Sequence, residues 1–120
     1  MSGPCAYFRF TDTDGKPRFV IKLVEPEKIE HARRILRGEE TSRIHVQGVV
    51  EKKPAEYNPG WSYHLKPDSI DFFEFAVEVC DSSIQYVEEN LEQVGGAFLP
   101  GSHWCPWTSR IVDEVVRKEQ

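Results

Sequence analysis

Residues 6–24, AYFRFTDTDGKPRFVIKLV, decide how the fold begins. Apolar and polar residues alternate on both sides of the pair Asp14–Gly15, which is typical of a tight hairpin turn. The apolar positions are Tyr7 or Phe8 and Phe10 on the way in, and Phe19, Ile21 and Leu23 on the way out. The pattern predicts a β-hairpin with one buried face.

The next segment, EPEKIEHARRILRG at 25–38, has the signals of an amphipathic helix. Pro26 suits the first turn, and Gly38 can close the last one. An apolar stripe recurs at helical spacing and consists of Ile29, Ala32, Ile35 and Leu36. We therefore predict a helix whose stripe docks on a sheet.

Basic residues gather near the end of this helix, at Arg33, Arg34 and Arg37. They complement the helix dipole and would lie in solvent if the stripe is docked. The same arrangement resembles a basic amphipathic target for an acidic, groove-forming partner. We favour the docked helix and keep the target helix as the alternative.

The second half of the chain again places strands before a helix. Residues 43–55 alternate and predict a strand, with Gly48 as a candidate bulge and Pro54 at its end. Residues 70–81 give the strongest strand pattern of the chain. Its expected core face consists of Phe73, Phe75, Val77 and Val79, and its partly wet face of Phe72, Glu74, Ala76 and Glu78.

Ser82 and Gln85 form a capping-box pattern for a second helix that would run to Gly95–Gly96. Its stripe consists of Ile84, Val87, Leu91 and Val94. Residues 108–120 predict either a last strand or a short helix. The order β-β-α-β-β-α plus a C-terminal segment predicts an α+β domain, an antiparallel sheet with both helices packed on it. We expect one domain over residues 1–120, with an ordered core at about residues 6–116.

Charge and hydropathy exclude several classes of partner. Lys and Arg total 15 against 20 for Asp and Glu, a net charge of -5, which argues against nucleic acid. The chain also lacks an apolar run of the roughly 20 residues that a membrane span needs. The N-terminal MSGPCAYF has no signal-peptide pattern, so the sequence leaves the compartment open.

The three cysteines are Cys5, Cys80 and Cys105. An odd number fits either reduced thiols or one disulfide plus a free thiol. Cys80 and Cys105 are the candidate pair. Reduced, buried thiols that act as small apolar side chains are the alternative.

Tryptophan is concentrated in two Pro- and Gly-rich segments, NPGW at 58–61 and GSHWCPW at 101–107. Rigid aromatic side chains on such loops make good anchors for a protein or a sugar. We expect Trp104 to face solvent between Pro100 and Pro106, and Trp61 and Trp107 to be packed. The predicted binding face consists of Asn58, Trp61, His64, His103 and Trp104; its alternative is a small satellite core under the loops.

Cys105 and His103 are the candidates for catalysis, because a thiolate beside an imidazole can attack acyl groups. They would make the protein a Cys/His hydrolase or transferase. The sequence has no nucleophile-elbow motif and no metal-ligand spacing such as C-x-x-C, so we expect no cofactor and no metal. A non-enzymatic domain is favoured.

Several stretches together resemble small bacterial proteins labelled calmodulin-binding proteins, over about residues 6–115. They are FVIKLVEPEKIEHARRILRG, YNPGWSYHL, FFEFAVEVCD, VEENLEQVGGAFLPG and WCPWTSR. Members often carry secretion signals, so the resemblance implies an oxidising, extracytoplasmic location and a Cys80–Cys105 bridge. It also implies a protein-binding module rather than an enzyme. A protease inhibitor and a calmodulin-binding-like domain are the two forms we expect, with carbohydrate as a second kind of partner.

Overall fold

The fold is α+β, as predicted, in a computed structural model that describes residues 5–12, 17–75 and 80–115. The strands, in chain order, are β1 (Ala6–Thr11), β2 (Phe19–Leu23), β3 (His45–Glu51), β4 (His64–Leu65), β5 (Asp71–Phe73), β6 (Val94–Gly95), β7 (Phe98–Pro100), β8 (His103–Trp104) and β9 (Arg110–Val115). The helices are α1 (Pro26–Leu36) and α2 (Ile84–Glu89), with 3₁₀ turns at Pro67–Ser69 and Leu91–Gln93.

The predicted hairpin forms the first sheet, in the order β2-β1-β9 and antiparallel throughout. Phe8 faces Ile21 and Phe10 faces Phe19 across the β1–β2 ladder, and all four side chains are buried. The Asp14–Gly15 turn lies outside the described residues. The C-terminal segment, for which strand and helix were both open, is the strand β9.

The second sheet is organised around β3. β5 pairs with the beginning of β3, β8 with its middle and β4 with its end, all antiparallel. Gly48 continues the β3 ladder opposite Trp104, where a bulge was the expectation. A Cβ at Gly48 would lie 3.4 Å from the side chains of Leu65 and Ile70, so an added methyl group would contact both of them. The strands are thus divided among small sheets, where the sequence suggested one.

Helix α1 docks as predicted, with Ile29 and Ala32 buried in the main core. Its arginines are held at the surface by acidic partners: Arg33 reaches Glu114 of β9 at 2.8 Å, and Arg37 reaches Glu30 at 2.8 Å. Gly38 follows the helix with φ 78°, a left-handed conformation that suits glycine at a helix end.

Several expectations about the second half of the chain are wrong. Phe75, predicted to face the core, is 78% exposed, because β5 ends at Phe73 opposite His45, the first residue of β3. Val77 and Val79 lie outside the described residues. Helix α2 is capped by Ser83, whose hydroxyl accepts a hydrogen bond from the Tyr86 amide, and not by Ser82. It ends at Glu89, and the last residue of the predicted stripe, Val94, belongs to β6.

Candidate functional site

The loop that follows β8 is fastened to the segment before α2 by a disulfide between Cys80 and Cys105. The two Cα atoms are 5.1 Å apart, and the Cys105 amide donates a hydrogen bond of 2.8 Å to the Cys80 carbonyl. Both cysteines are buried against Phe73. The candidate pair is therefore bonded, while Cys5 is free and exposed.

Two further contacts join the same segments. The Trp104 indole donates to the Ser82 carbonyl at 3.0 Å, and the Trp107 amide donates to the Asp81 carboxylate at 2.9 Å. Each residue from Cys80 to Ser82 is thus linked to the loop. We call residues 104–109, held in this way, the tethered loop.

Ser109 closes the tethered loop from its other end. Its amide donates to the Pro106 carbonyl at 3.1 Å, which makes Pro106–Ser109 a four-residue turn. The buried Ser109 hydroxyl accepts a hydrogen bond of 2.8 Å from the Val46 amide. The Ser109 carbonyl contacts the His45 imidazole at 2.8 Å. The turn is therefore fixed to β3, with Trp107 and Thr108 at its apex.

Trp104 lies in the core, so the expectation that it faces solvent is wrong. Its side chain is 0% exposed and has the rings of Phe10, Phe19 and Tyr63 at 6.0, 5.4 and 5.6 Å. Adjacent residues of a strand point to opposite faces, which places exposed His103 and buried Trp104 on the two sides of β8. A partner cannot reach this indole in the folded domain.

Tyr63 completes the aromatic cluster behind the tethered loop. Its hydroxyl donates to the Ile84 carbonyl at 2.8 Å, which links the cluster to the start of α2. Burial, with the nearby negative charges of Glu88 and Asp12, raises the Tyr63 pKa far above its usual value. The phenol therefore stays neutral and serves as a hydrogen-bond donor in the core.

Asn58 and His64 were predicted to contact a partner, but both are buried. The Asn58 side chain accepts from the Val20 amide at 2.8 Å and donates to the Tyr63 carbonyl at 3.1 Å. The His64 ring contacts the Lys53 carbonyl at 2.8 Å. Buried polar groups need such partners, so both side chains hold the 52–63 loop in place.

Trp61 and His103 are the members of the predicted face that reach the surface. Trp61 is half-buried against Phe19 and Tyr63, and its indole donates to the Arg18 carbonyl at 2.7 Å. The exposed His103 imidazole contacts the Gln47 side chain at 2.8 Å. The five predicted residues therefore do not assemble into one exposed face.

The candidate catalytic pair is also not assembled. The Cys105 sulfur is bonded to Cys80 and buried, so it is not a free thiolate, and His103 is turned to Gln47. A nucleophile must lie within hydrogen-bond reach of its base. The described residues contain no group of three or more His, Cys, Asp or Glu side chains that could hold a metal ion. Over the same ranges, no helix combines the length and apolarity that crossing a bilayer requires.

Exposed aromatic surface is found at two residues that the sequence assigned to the interior. Trp107 is 40% exposed at the apex of the turn, and Phe75 is 78% exposed just beyond Phe73, which packs on the disulfide. A signal for Trp107 was present in the sequence: it follows a proline and precedes Thr108 and Ser109, a composition that favours a turn.

The fold and this site define a small, disulfide-linked α+β domain with an aromatic side chain held on a fastened turn. Residues 4–118 match the family model described as BP-74 N-terminal domain. The chain therefore belongs to the BP-74 N-terminal domain family. BP-74 is the name of a calmodulin-binding-type protein. This agrees in part with the resemblance of the sequence to small bacterial proteins labelled calmodulin-binding proteins. Neither the comparison with curated proteins nor the comparison with solved structures found a match.

Proposed function

We propose that this protein is a non-enzymatic interaction domain that binds another protein through its tethered loop, with Trp107 as the central contact. The observation that carries the proposal is the combination of a 40% exposed indole with a main chain fixed at Cys105, Trp107 and Ser109. Aromatic residues dominate the energy of protein interfaces.

Rigidity adds to this argument. Ordering a loop on binding costs free energy, and the tethered loop is already ordered by the disulfide and by hydrogen bonds to Asp81 and β3. The polar side chains of Asp81 and Thr108 adjoin Trp107 and can fix the orientation of a partner, as in the rim of an interface. Phe75 offers additional apolar area on the chain that leads to the disulfide.

The family name supports a calmodulin-type partner as the finer form of the proposal. Helix α1 is a poor ligand for calmodulin in the folded domain, because Ile29 and Ala32 of its apolar stripe are buried against the sheets. A helix bound in a groove must expose that stripe. The proposal therefore places calmodulin on the tethered loop and not on α1.

The test is capture of binding proteins by the immobilised domain and two variants. Trp107→Ala removes the proposed contact, and Tyr86→Ala removes an aromatic side chain that is 51% exposed on α2. We expect a partner retained by the wild type and by Tyr86→Ala, with Trp107→Ala weakening its affinity by about 2 kcal/mol. Identical retention by all three proteins would contradict the proposal.

Ca²⁺-loaded calmodulin is a defined probe for the finer form. Binding through the tethered loop predicts that Trp107→Ala weakens capture by the same amount, about 2 kcal/mol, and that Arg33→Gln/Arg34→Gln/Arg37→Gln preserves it. The opposite pattern would assign binding to α1. Failure of the wild type to capture calmodulin, with or without chelator, would reject calmodulin as the partner.

A further inference from the structure

A second concave site lies away from the tethered loop, where α1 faces β5 and the start of β3. The cavity has a volume of about 480 Å³ and is lined by Glu27, Lys28, Glu30, His31, Arg34, Arg43 and Asp71. Its lining shares no residue with the tethered loop. The protein interaction proposed for the tethered loop therefore does not involve this cavity.

Among the described residues, some charged groups of this cavity have close ionic partners and others do not. Glu30 accepts from Arg37 at 2.8 Å, and Asp71 lies 3.1 Å from the Lys28 ammonium. The Arg34 guanidinium stands 3.7 Å from Glu40, which is longer than a hydrogen bond. The Arg43 guanidinium makes no ion pair within the described ranges. Unused donor capacity is thus concentrated on the two arginines.

Arg43 is held at both of its peptide groups. Its amide donates to the Glu40 carboxylate at 2.9 Å, and its carbonyl contacts the His31 imidazole at 2.8 Å. The hydrogen bond from this amide lowers the pKa of Glu40, so the carboxylate stays charged and keeps the contact. The base of the Arg43 side chain is therefore fixed before any ligand arrives.

His31 forms a flat wall of the cavity. Its ring stacks on Phe72 with 4.7 Å between centroids and 12° between planes, and the residue is buried. One ring nitrogen contacts the Arg43 carbonyl at 2.8 Å. The other ring nitrogen has no hydrogen-bond partner in the described part of the chain. His31 therefore lines the cavity together with Arg34 and Arg43.

We propose that this cavity binds a carboxylate-bearing ligand, held by the guanidinium groups of Arg34 and Arg43. A guanidinium matches the two oxygens of a carboxylate through paired hydrogen bonds. The acidic side chains of Glu27, Glu30 and Asp71 in the same lining repel a phosphate, which gathers up to two charges on one group, more strongly than a carboxylate group, which carries one. The ligand is a free carboxylic acid or the carboxylate of a peptide.

The first test is an amide-resolved NMR titration of the whole domain with succinate. We expect shifts at Arg43, Ile44 and Asp71, and about tenfold weaker binding for Arg43→Gln, the loss of one charge-assisted pair. Lys53→Gln removes the same charge outside the cavity and should bind as the wild type. Unchanged spectra around the cavity, or equal weakening by both variants, would overturn the proposal.

Asp71→Asn gives an independent test in the opposite direction. It removes a negative charge from the lining and frees Lys28, while its amide oxygen can still accept from the Phe72 amide, so succinate should bind more tightly. Weaker binding by this variant, with the spectrum elsewhere unchanged, would contradict the assigned site.

Two comparisons identify the source of the carboxylate. A tripeptide with a free C-terminus and its amidated twin are titrated beside succinate; peptide binding lost on amidation supports a peptide carboxylate, and binding by succinate alone supports a free acid. Inorganic phosphate that bound at least as tightly as both would overturn the assignment to carboxylates.

Discussion

Trp104 and Trp107 stand three positions apart in one loop and have opposite environments. Trp104 is fully buried among Phe10, Phe19 and Tyr63, whereas Trp107 is 40% exposed on a hydrogen-bonded turn. The disulfide at Cys105 lies between them. The comparison shows one short segment doing two tasks: its first indole fixes the segment to the core, and its second is presented to solvent.

The largest effect that can test this comparison is on stability. Trp104→Ala removes a buried aromatic side chain and should lower the free energy of unfolding by about 3–5 kcal/mol, because it leaves a cavity. Trp107→Ala should cost less than about 1 kcal/mol. Urea denaturation measures both.

If Trp104→Ala does not fold, Trp104→Phe serves in its place, since it keeps part of the ring contacts. A Trp107→Ala protein that was less stable than the Trp104 variant would contradict the assignment of Trp104 to the core and of Trp107 to the surface.

The second prediction concerns the link between the two indoles. Cys80 and Cys105 are 25 positions apart, and a closed loop of this length stabilises a protein by about 3 kcal/mol on the chain-entropy account. Reduction should lower the urea midpoint by a corresponding amount and increase the mobility of the Trp107 turn. Cys5→Ser is the control, because that thiol is free and exposed.

A midpoint that does not change with reductant, in a protein whose thiols are shown to be reduced, would mean that hydrogen bonds to Asp81 and Ser82 suffice to hold the loop.

Much of the fold could be predicted because its signals are local. The alternation in β1 and β2, the stripe and Pro26 of α1, and the candidate cysteine pair all follow from residues near one another or of distinctive chemistry. The docking of α1 followed from its apolar stripe. These features give the α+β class without any knowledge of long-range contacts.

The positions of the indoles could not be predicted in this way. Trp104 is buried because β8 pairs with β3, placing it opposite Gly48 and against Phe10 and Phe19, all distant in sequence. The flanking prolines restrict the backbone but do not determine which face is covered. Phe75 was misassigned for a related reason, since the alternation of residues 70–75 gives no sign that β3 offers a partner only as far as Phe73.

The smallest predicted change in stability concerns two ion pairs at the surface of the β2-β1-β9 sheet, whose Phe10 and Phe19 pack against Trp104. The Arg9 guanidinium, which hydrogen-bonds Asp113, lowers the pKa of that carboxyl, and Arg33 does the same for Glu114. The folded state therefore holds these protons less tightly than the unfolded chain. The contribution of these two ion pairs to stability is complete above the ordinary carboxyl pKa values of about 4. It is lost as the pH falls through the lowered pKa values of Asp113 and Glu114.

Asp113→Asn removes the Asp113 part of this dependence. Both carboxylates are partly exposed, so we expect a change below about 1 kcal/mol at neutral pH and a shallower loss of stability in acid. Thermal unfolding followed from neutral pH down to well below the ordinary carboxyl pKa values of about 4 measures it. A steeper acid loss in the variant would be inconsistent with the assigned ion pair.

Hydrogen exchange of the three indole N–H groups, followed by NMR in the wild-type protein, tests the division of the tethered loop most directly. The Trp104 signal should exchange as slowly as core amides, because its N–H is bonded to the Ser82 carbonyl inside the protein, and the Trp61 signal faster. The Trp107 signal should be lost within the dead time. A protected Trp107 indole, or a Trp104 indole that exchanges at once, would contradict the account.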